Sequence, residues 1–487
     1  MTASYGVFDR NHFIENGELG LGQRNLEVKS AFTREVIGSL PTSSSTEIEA
    51  ALQKAEQLFA DRSTWLPLME RIDVLERAAV LMEGRFEQLS IQAASEGGKP
   101  LLDSRVEVRR AIESVRLAAE TVRVDQGSVI PMRTTVSSAG RMAFTRKEPI
   151  GPVVAVSAFN HPLNLIAHQV APAVATGCPV IVKPSDDTPL SCRSFIEILH
   201  QAGLPIDWAQ MVLPQSIEDA ERLVTDPRVA FFSFIGSAKV GWHLRSKLAP
   251  GTRCALEHGC VAPLIVCDDA DLDKAVPSIL KGGFYHAGQV CVSVQRVIAD
   301  KKIAAELSER LAAGAKALTV GDPLNDDTAV GPLIRPRDVE RVAEWIEEAA
   351  SGDGQILAGG KAASKVCYEP TIVSNPLPGS RLATAEVFGP ALGIFTYDNL
   401  DEAFALANAV DFKFQASIFT SDMERTLAAH KHVNASAVMV NDHTAFRVDW
   451  MPFAGLGLSG YGVGGIEHTV NDMQIDKMLV LNSPHLQ

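Results

Sequence analysis

The chain has no run of about 18 uninterrupted apolar residues, so a membrane-spanning helix is not expected. Its opening, MTASYGVFDRNHF, lacks a basic stretch followed by an apolar one and does not read as a secretory signal. There is no CxxC pair; the seven cysteines (178, 192, 254, 260, 267, 291 and 367) are odd in number and scattered. They fit reduced thiols better than a disulfide framework or a zinc site, and no metal is expected. Basic residues are in deficit, 45 Lys and Arg against 59 Asp and Glu, a net charge of −14. That speaks against nucleic acid or an anionic membrane as the partner. There is no low-complexity tract and no internal repeat. These absences leave a cytoplasmic enzyme with a small-molecule substrate, and 487 residues imply two or three domains.

From Ser45 to about Arg123 the pattern is helical. TSSSTEIEAALQKAEQLF carries a helix-start signal in its Ser/Thr and acidic residues, with Ile48, Leu52, Leu58 and Phe59 near helical spacing. The stretch 125–151 is polar and β-branched and predicts a two-stranded arm outside the main body. Then five short apolar runs alternate with helical segments: PVVAVSAF (152–159), CPVIVKPS (178–185), AQMVLP (209–214), VAFFSFIGS (229–237) and RCALEHG (253–259). This spacing predicts βαβ units and a doubly wound parallel sheet, with Asn160, Lys183, Ser237 and Glu257 on its carboxyl edge, where ligands bind. A second α/β alternation follows Pro263, through PLIVCD, QVCVSVQRVIAD and ALGIFTY.

Each motif has a bland reading beside its chemical one. GLGLSG (455–460) satisfies GxGxxG, but it neither follows a strand nor opens a helix, so it reads as a glycine-rich loop. FIGSAKVG (234–241) ends a strand at Gly236-Ser237 and starts a helix at once, a setting for phosphate or for an ordinary helix cap. VKPSDDTP (182–189) puts Lys183, Ser185 and Asp186 after a strand, where an acid can bond ribose hydroxyls and repel a 2′-phosphate; two solvated charges on a turn is the alternative. Cys291, in FYHAGQVCVSVQRV, is a nucleophile only if its thiol ionises, and buried packing is the default for any single cysteine.

Together and in order, SAFNHPLN, VKPSDDTP, FIGSAKVG, ALEHGC, HAGQVC, AEVFGP and PFAGLGLSG resemble the NAD(P)-dependent aldehyde dehydrogenase superfamily over nearly the whole chain. The resemblance implies a Rossmann-like cofactor domain (1–123 and 148–257), a second α/β catalytic domain (258–446) and a small β oligomerisation arm (124–147 and 468–487), in a homodimer or homotetramer. It implies Cys291 as nucleophile, Glu257 as general base and Asn160 as oxyanion donor with the Cys291 backbone N–H. It places Lys183, Ser185 and Asp186 by the adenosine ribose, Gly236 and Ser237 by the pyrophosphate, and Glu386 and Phe388 by the nicotinamide ribose and ring. The implied activity is oxidation of an aldehyde to its carboxylic acid through a Cys291 thiohemiacetal and thioester, with Glu257 activating water. The alternatives are a coenzyme A-acylating enzyme, disfavoured because such members generally lack that glutamate, and a catalytically silent member with a binding role.

Departures from the family pattern bear on cofactor and substrate. Asp186 stands where Glu is commoner, so NAD is expected and NADP left open. Cys260 and Val261 replace a Gly-Lys pair; Cys260 is either a tolerated small residue or a thiol able to pair with Cys291. DHTAFRVDWMPF (442–453) and SAFNHPLN resemble the branch acting on small polar aldehydes such as lactaldehyde, glyceraldehyde and phosphonoacetaldehyde types. Arg109, Arg110, Arg123, His161 and Arg447 are candidates to meet an anionic tail, each weighed against a solvated or structural role.

Overall fold

The structure, a computed structural model, describes residues 24–125 and 127–486. The opening MTASYGVFDRNHF, the start of the expected cofactor domain and Gln487 of the expected arm lie outside the described residues.

The five expected apolar runs form five parallel strands: β1 (Val153–Val156), β2 (Val180–Lys183), β3 (Ala209–Met211), β4 (Phe231–Ile235) and β5 (Arg253–Glu257). They lie side by side in the order 3-2-1-4-5, and Gly460–Tyr461 pairs antiparallel with the outer edge of β5. Helices Asn164–Thr176, Pro189–Gln201, Ile217–Thr225 and Ala238–Arg245 make the crossovers. With crossovers covering both faces, the strands are apolar throughout rather than alternating. The strand order reverses between β1 and β4, and a crevice opens there at the carboxyl ends.

Four N-terminal helices, Ser45–Ala60, Leu68–Gly84, Phe86–Gly97 and Leu101–Val124, flank this sheet. The expected helix start is a capping box: the Glu47 N–H donates to Ser44 Oγ at 3.3 Å, and the Ser44 N–H donates to Glu47 Oε2 at 2.7 Å. Gly98 ends the third helix at φ +78°, and a Cβ there would press on Pro332.

The second sheet adds β6 (Ala262–Val266), β7 (Val294–Asp300), β8 (Gln355–Ala358), β9 (Thr371–Ser374), β10 (Ala391–Tyr397), β11 (Gln415–Phe419) and β12 (Ala437–Val440), in the order 8-9-10-7-6-11-12. Only the β8–β9 pair is antiparallel. The sequence reading did not pick out β8, β9, β11 and β12, because short continuous apolar runs such as QASIF carry no period that separates strand from helix. It also missed the hairpin Asn25–Lys29 and Val36–Pro41.

The segment expected as a two-stranded arm supplies Val129–Ile130 and Arg141–Pro149. The C-terminal strand Gln474–Asn482 pairs along all of Arg141–Pro149, so the arm is three-stranded. GLGLSG splits into two short pairings, one with Phe412–Lys413 and one with β5, and opens no helix; the next is Ile466–Asp472.

One buried ion pair fixes the start of the central crossover helix. Lys99 Nζ lies 2.6 Å from Glu107 Oε2, both side chains 1% exposed. The other oxygen of Glu107 accepts the Leu163 and Asn164 N–H groups at 2.9 and 3.1 Å, capping the helix that follows Asn160 and His161. Glu107→Ala strands the Lys99 ammonium and two helix N–H groups. It is expected to lower stability by about 3–5 kcal/mol in chemical denaturation, with Lys99→Met/Glu107→Leu recovering only the part due to the stranded ammonium.

Candidate active site

The sheet brings Asn160, Lys183, Ser237 and Glu257 to one edge, because they follow β1, β2 and β4 or end β5 in a parallel array. Cys291 reaches that edge from the second sheet, three residues before β7. The turn ahead of it is strained: His286, Ala287 and Gly288 all hold left-handed backbone (φ 51°, 53° and 68°). A Cβ at Gly288 would overlap Gly389 O. After the thiol, Thr444 Oγ1 donates to Val292 O at 2.7 Å, and Ser293 Oγ to Gly282 O at 3.1 Å.

Cys291 is half-buried against Cys260, Val290, Val292, Phe414 and Phe453. Burial pushes its thiol up to about 12; the Arg447 guanidinium opposes this, while Glu257, Glu386 and Cys260 add to it. Burial also raises the Glu257 carboxyl, again opposed by Arg447. Glu257 lies over Gly464, where a Cβ would overlap its carboxylate oxygen. Arg447 is set by a cation–π contact, its Cζ 3.5 Å from the Phe453 ring centroid, and its Nε is buried without a hydrogen-bond partner. An arginine keeps its charge at neutral pH, so thiol and carboxyl face a fixed cation.

Asn160 is buried, and its Nδ2 donates to the Gln289 carbonyl at 2.9 Å. Its other N–H is the one left to meet a substrate oxygen. His161 is kept neutral by burial first, and then by the charges of Lys99, Arg110, His286 and Arg447 around it. Arg110 grips Asp449 through two bonds, at 2.6 and 3.1 Å, and His168 Nε2 lies 2.7 Å from the same carboxylate. Although burial pushes Asp449 upward, His168 and Arg110 hold it well below the usual carboxylate range.

The two other arginines singled out from the sequence stand apart from this group. Arg109 is exposed and stacks over Phe86 at 5.4 Å, and Arg123 is exposed and paired with Glu76. Both project from the solvent side of helix Leu101–Val124, whereas Arg110, one residue on from Arg109, faces inward. Single residues in an irregularly charged helix did not reveal that rotation.

At the cofactor end, Ser237 precedes the helix Ala238–Arg245 and makes no side-chain cap bond, and the Gly236 N–H donates to Glu257 O at 3.0 Å. Lys183 Nζ bonds Asp186 Oδ1 at 2.7 Å, and Ser185 Oγ accepts the Asp187 N–H at 3.3 Å. Glu386 sits over Gly259; burial pushes its carboxyl up to about 8, and its Oε1 is buried without a partner. Phe388, at φ 44°, meets Phe159 edge to face at 5.7 Å. The loop carrying both is held by Gln295, which accepts the Val387 N–H and donates to Leu382 O and Ala385 O, and by Arg341, which donates to Val387 O. Gln295, Arg341, Gln289, Asp449 and His168 were missed in the sequence. Three of them lay in quoted segments: Asp449 two residues beyond Arg447, and Gln289 and Gln295 on either side of Cys291.

A 3-2-1-4-5 sheet joined to a second α/β sheet, with a thiol and a raised carboxyl at their junction, is the architecture of a nucleotide-dependent oxidoreductase. The aldehyde dehydrogenase family model matches residues 20–479, and the chain belongs to that family. It is 36% identical over 467 residues to the 3-sulfolactaldehyde dehydrogenase of Priestia aryabhattai, covering 96% of this chain and 97% of that protein. The crystal structure of glyceraldehyde-3-phosphate dehydrogenase GapN from Methanocaldococcus jannaschii, complexed with NADP, superposes with a TM-score of 0.90 at 35% identity, over 95% of this chain and 100% of that one. Aldehyde dehydrogenase 21 from Physcomitrella patens, solved with its reaction product succinate, gives a TM-score of 0.91 at 34% identity over 95% of both chains.

The charges around Cys291 give opposite expectations for two variants. Arg447→Gln removes the cation that lowers the thiol pKa, so the pH midpoint for iodoacetamide alkylation of Cys291 moves up. Glu257→Gln removes an anion that raises it, so the midpoint moves down. Shifts of about one unit, ~1.4 kcal/mol, are expected, read as alkylation rate against pH.

Proposed function

We propose that this enzyme oxidises a small aldehyde with an anionic tail to its carboxylic acid, using NAD(P). The observation that carries the reading is that the Arg447 cation, stacked on Phe453, acts on both Cys291 and Glu257 in a protein whose net charge is −14. Arg447 and Arg110 supply the positive charge beside that group, with the neutral His161 next to them, and Arg109 and Arg123 stand apart. The named relatives fit: sulfolactaldehyde carries a sulfonate, glyceraldehyde-3-phosphate a phosphate and succinate a second carboxylate.

The residues at the carboxyl edge fit a nicotinamide dinucleotide. A helix begins directly after Gly236-Ser237, where phosphate is favoured, and the unpartnered Glu386 Oε1 is an acceptor available to a ribose hydroxyl. Lys183, Ser185 and Asp186 would hold the adenosine ribose, and Phe388 would flank the nicotinamide. When bound, the nicotinamide supplies the two-electron acceptor.

The chain's own part is to hold the aldehyde and move protons. Arg447, with Arg110 and His161, draws the anionic tail in and orients the carbonyl toward Cys291. The thiol, protonated at rest, gives its proton to Glu257 as sulfur adds to the carbonyl carbon. The free N–H of Asn160 and the Cys291 backbone N–H stabilise the oxyanion, each such donor being worth ~10²–10³ in rate. After oxidation to the thioester, Glu257 gives the first proton up to solvent and takes another from the water that attacks the acyl carbon, then returns it to the departing Cys291 sulfur as the acid is released. Because Glu257 is raised, this step gains rate as pH climbs through its folded pKa and loses it below. A coenzyme A acceptor would need no activated water and would leave that carboxyl without its hydrolytic task.

We assign the cofactor domain to 1–123 and 148–257, the catalytic domain to 258–446 and the arm to 124–147 and 468–487. Exposed Met478, Leu479, Val480 and Leu481 along the outer strand of the arm support assembly into a cytoplasmic homodimer or homotetramer.

Cys291→Ala is expected to abolish NAD(P)H formation with C2–C4 aldehydes, followed at 340 nm. Arg447→Gln is expected to lower kcat/KM by ~10²-fold for sulfonated or carboxylated aldehydes and far less for neutral ones. Equal losses on both classes would remove the anionic-substrate reading, and a rate that rose with added coenzyme A would favour acyl transfer over hydrolysis.

A further inference from the structure

The hairpin that the sequence reading missed ends beside the segment read as the ribose site. Its first strand follows Arg24, whose carbonyl accepts both the N–H and the Oγ1 of Thr42, at 2.9 and 2.6 Å. Gln215 Nε2 donates to Thr42 Oγ1 at 3.2 Å. The hairpin is pinned to the loop after β3 where the Ser43 N–H donates to Leu213 O at 2.6 Å, and the Leu213 N–H to Ser43 Oγ at 3.0 Å. These bonds hold Arg24 at the carboxyl edge of the sheet, where it lines one recess with Thr42, Asp186, Leu213, Pro214 and Gln215. The recess has a volume of about 140 Å³, several times the ~30 Å³ that one water occupies in the liquid.

Charge in this corner is matched except at Arg24. Asp186 is paired with Lys183 at 2.7 Å, and Asp187 with Arg335 at 2.5 Å. Among the described residues Arg24 has no salt-bridge partner. Asp186 alone would repel a 2′-phosphate, but its charge is taken up by Lys183, and a guanidinium shares its recess. An arginine beside the ribose-binding acid is what a 2′-phosphorylated dinucleotide requires, and its planar fork suits phosphate.

We infer that Arg24 is a specificity-determining residue that receives the 2′-phosphate of NADP in the recess beside Asp186, so that the enzyme accepts NADP as well as NAD. This rests on the reading that Lys183, Ser185 and Asp186 hold the adenosine ribose.

The test is calorimetric binding of NADP, NAD, adenosine 2′,5′-bisphosphate and adenosine 5′-monophosphate to the wild type, Arg24→Ala and Lys183→Ala. Arg24 is exposed, so its replacement leaves the core intact. Arg24→Ala is expected to weaken NADP and the bisphosphate roughly tenfold, and NAD and the monophosphate less than about twofold. The inference is overturned if the wild type holds the bisphosphate no tighter than the monophosphate, or if Arg24→Ala leaves the NADP-to-NAD ratio unchanged. Lys183→Ala separates the two levels. If it weakens both dinucleotides while Arg24→Ala changes no ratio, only the Arg24 assignment falls. If it weakens neither, the ribose lies elsewhere, and the inference falls with the reading beneath it.

Discussion

The arrangement around the thiol hangs from one buried amide, Gln289. Its side chain donates to His286 O and Pro332 O, both at 3.2 Å, and accepts the Ile334 N–H at 3.0 Å, while its own carbonyl accepts Asn160 Nδ2. One residue therefore closes the left-handed turn, anchors it to the loop near Pro332 and ties it to the segment after β1. Left-handed backbone at His286 and Ala287 costs of order 1–3 kcal/mol each and persists only where the surroundings over-determine it. Gln289 and the close approach of Gly389 to Gly288 supply that constraint. The strain is stored four and five residues before Cys291, in the turn that delivers the thiol.

Electrostatics then sets what the thiol can do. Buried among apolar neighbours and near two carboxyls, Cys291 is held protonated, and the charge that opposes this is Arg447. The arginine is itself held by aromatic contact rather than by a carboxylate partner, its nearest acid oxygen, on Asp449, being 3.8 Å from Nε. Asp449 is occupied by Arg110 and His168 at shorter range. That division leaves Arg447 only loosely paired, 3.8 Å from Asp449 and 3.4 Å from His168 Nδ1, so part of its field reaches the thiol and Glu257. A tighter Asp449–Arg447 pair would quench it.

Much of this was legible in the sequence, because the parallel sheet writes its chemistry at strand ends. Asn160, Lys183, Ser237 and Glu257 each end or follow an apolar run, and the βαβ rhythm was enough to place them on one edge. GLGLSG was likewise legible as a loop, since its flanks could not make strand and helix. What the sequence hid was made by side chains meeting across long separations. Gln289, Gln295 and Asp449 are polar residues in ordinary company, and their importance lies in partners as far as 43 to 339 positions away. The direction of an arginine on a helix was hidden too. Arg109 and Arg110 are adjacent letters, yet one meets solvent and the other Asp449, because a helix turns about 100° per residue.

The same long-range logic joins the two halves of the site. Gln295 lies four residues beyond Cys291, on the strand of the second sheet that follows the thiol, and it bonds three backbone groups of the loop bearing Glu386 and Phe388. Arg341 grips that loop from helix Pro336–Ala349. Phe388 in turn touches Phe159, the residue before Asn160. A displacement of the loop therefore cannot occur without disturbing either the strand behind the thiol or the segment carrying Asn160. Substrate side and cofactor side are mechanically one unit, and this coupling lets separate loops from two sheets hold a reacting carbon within the short range that chemistry demands.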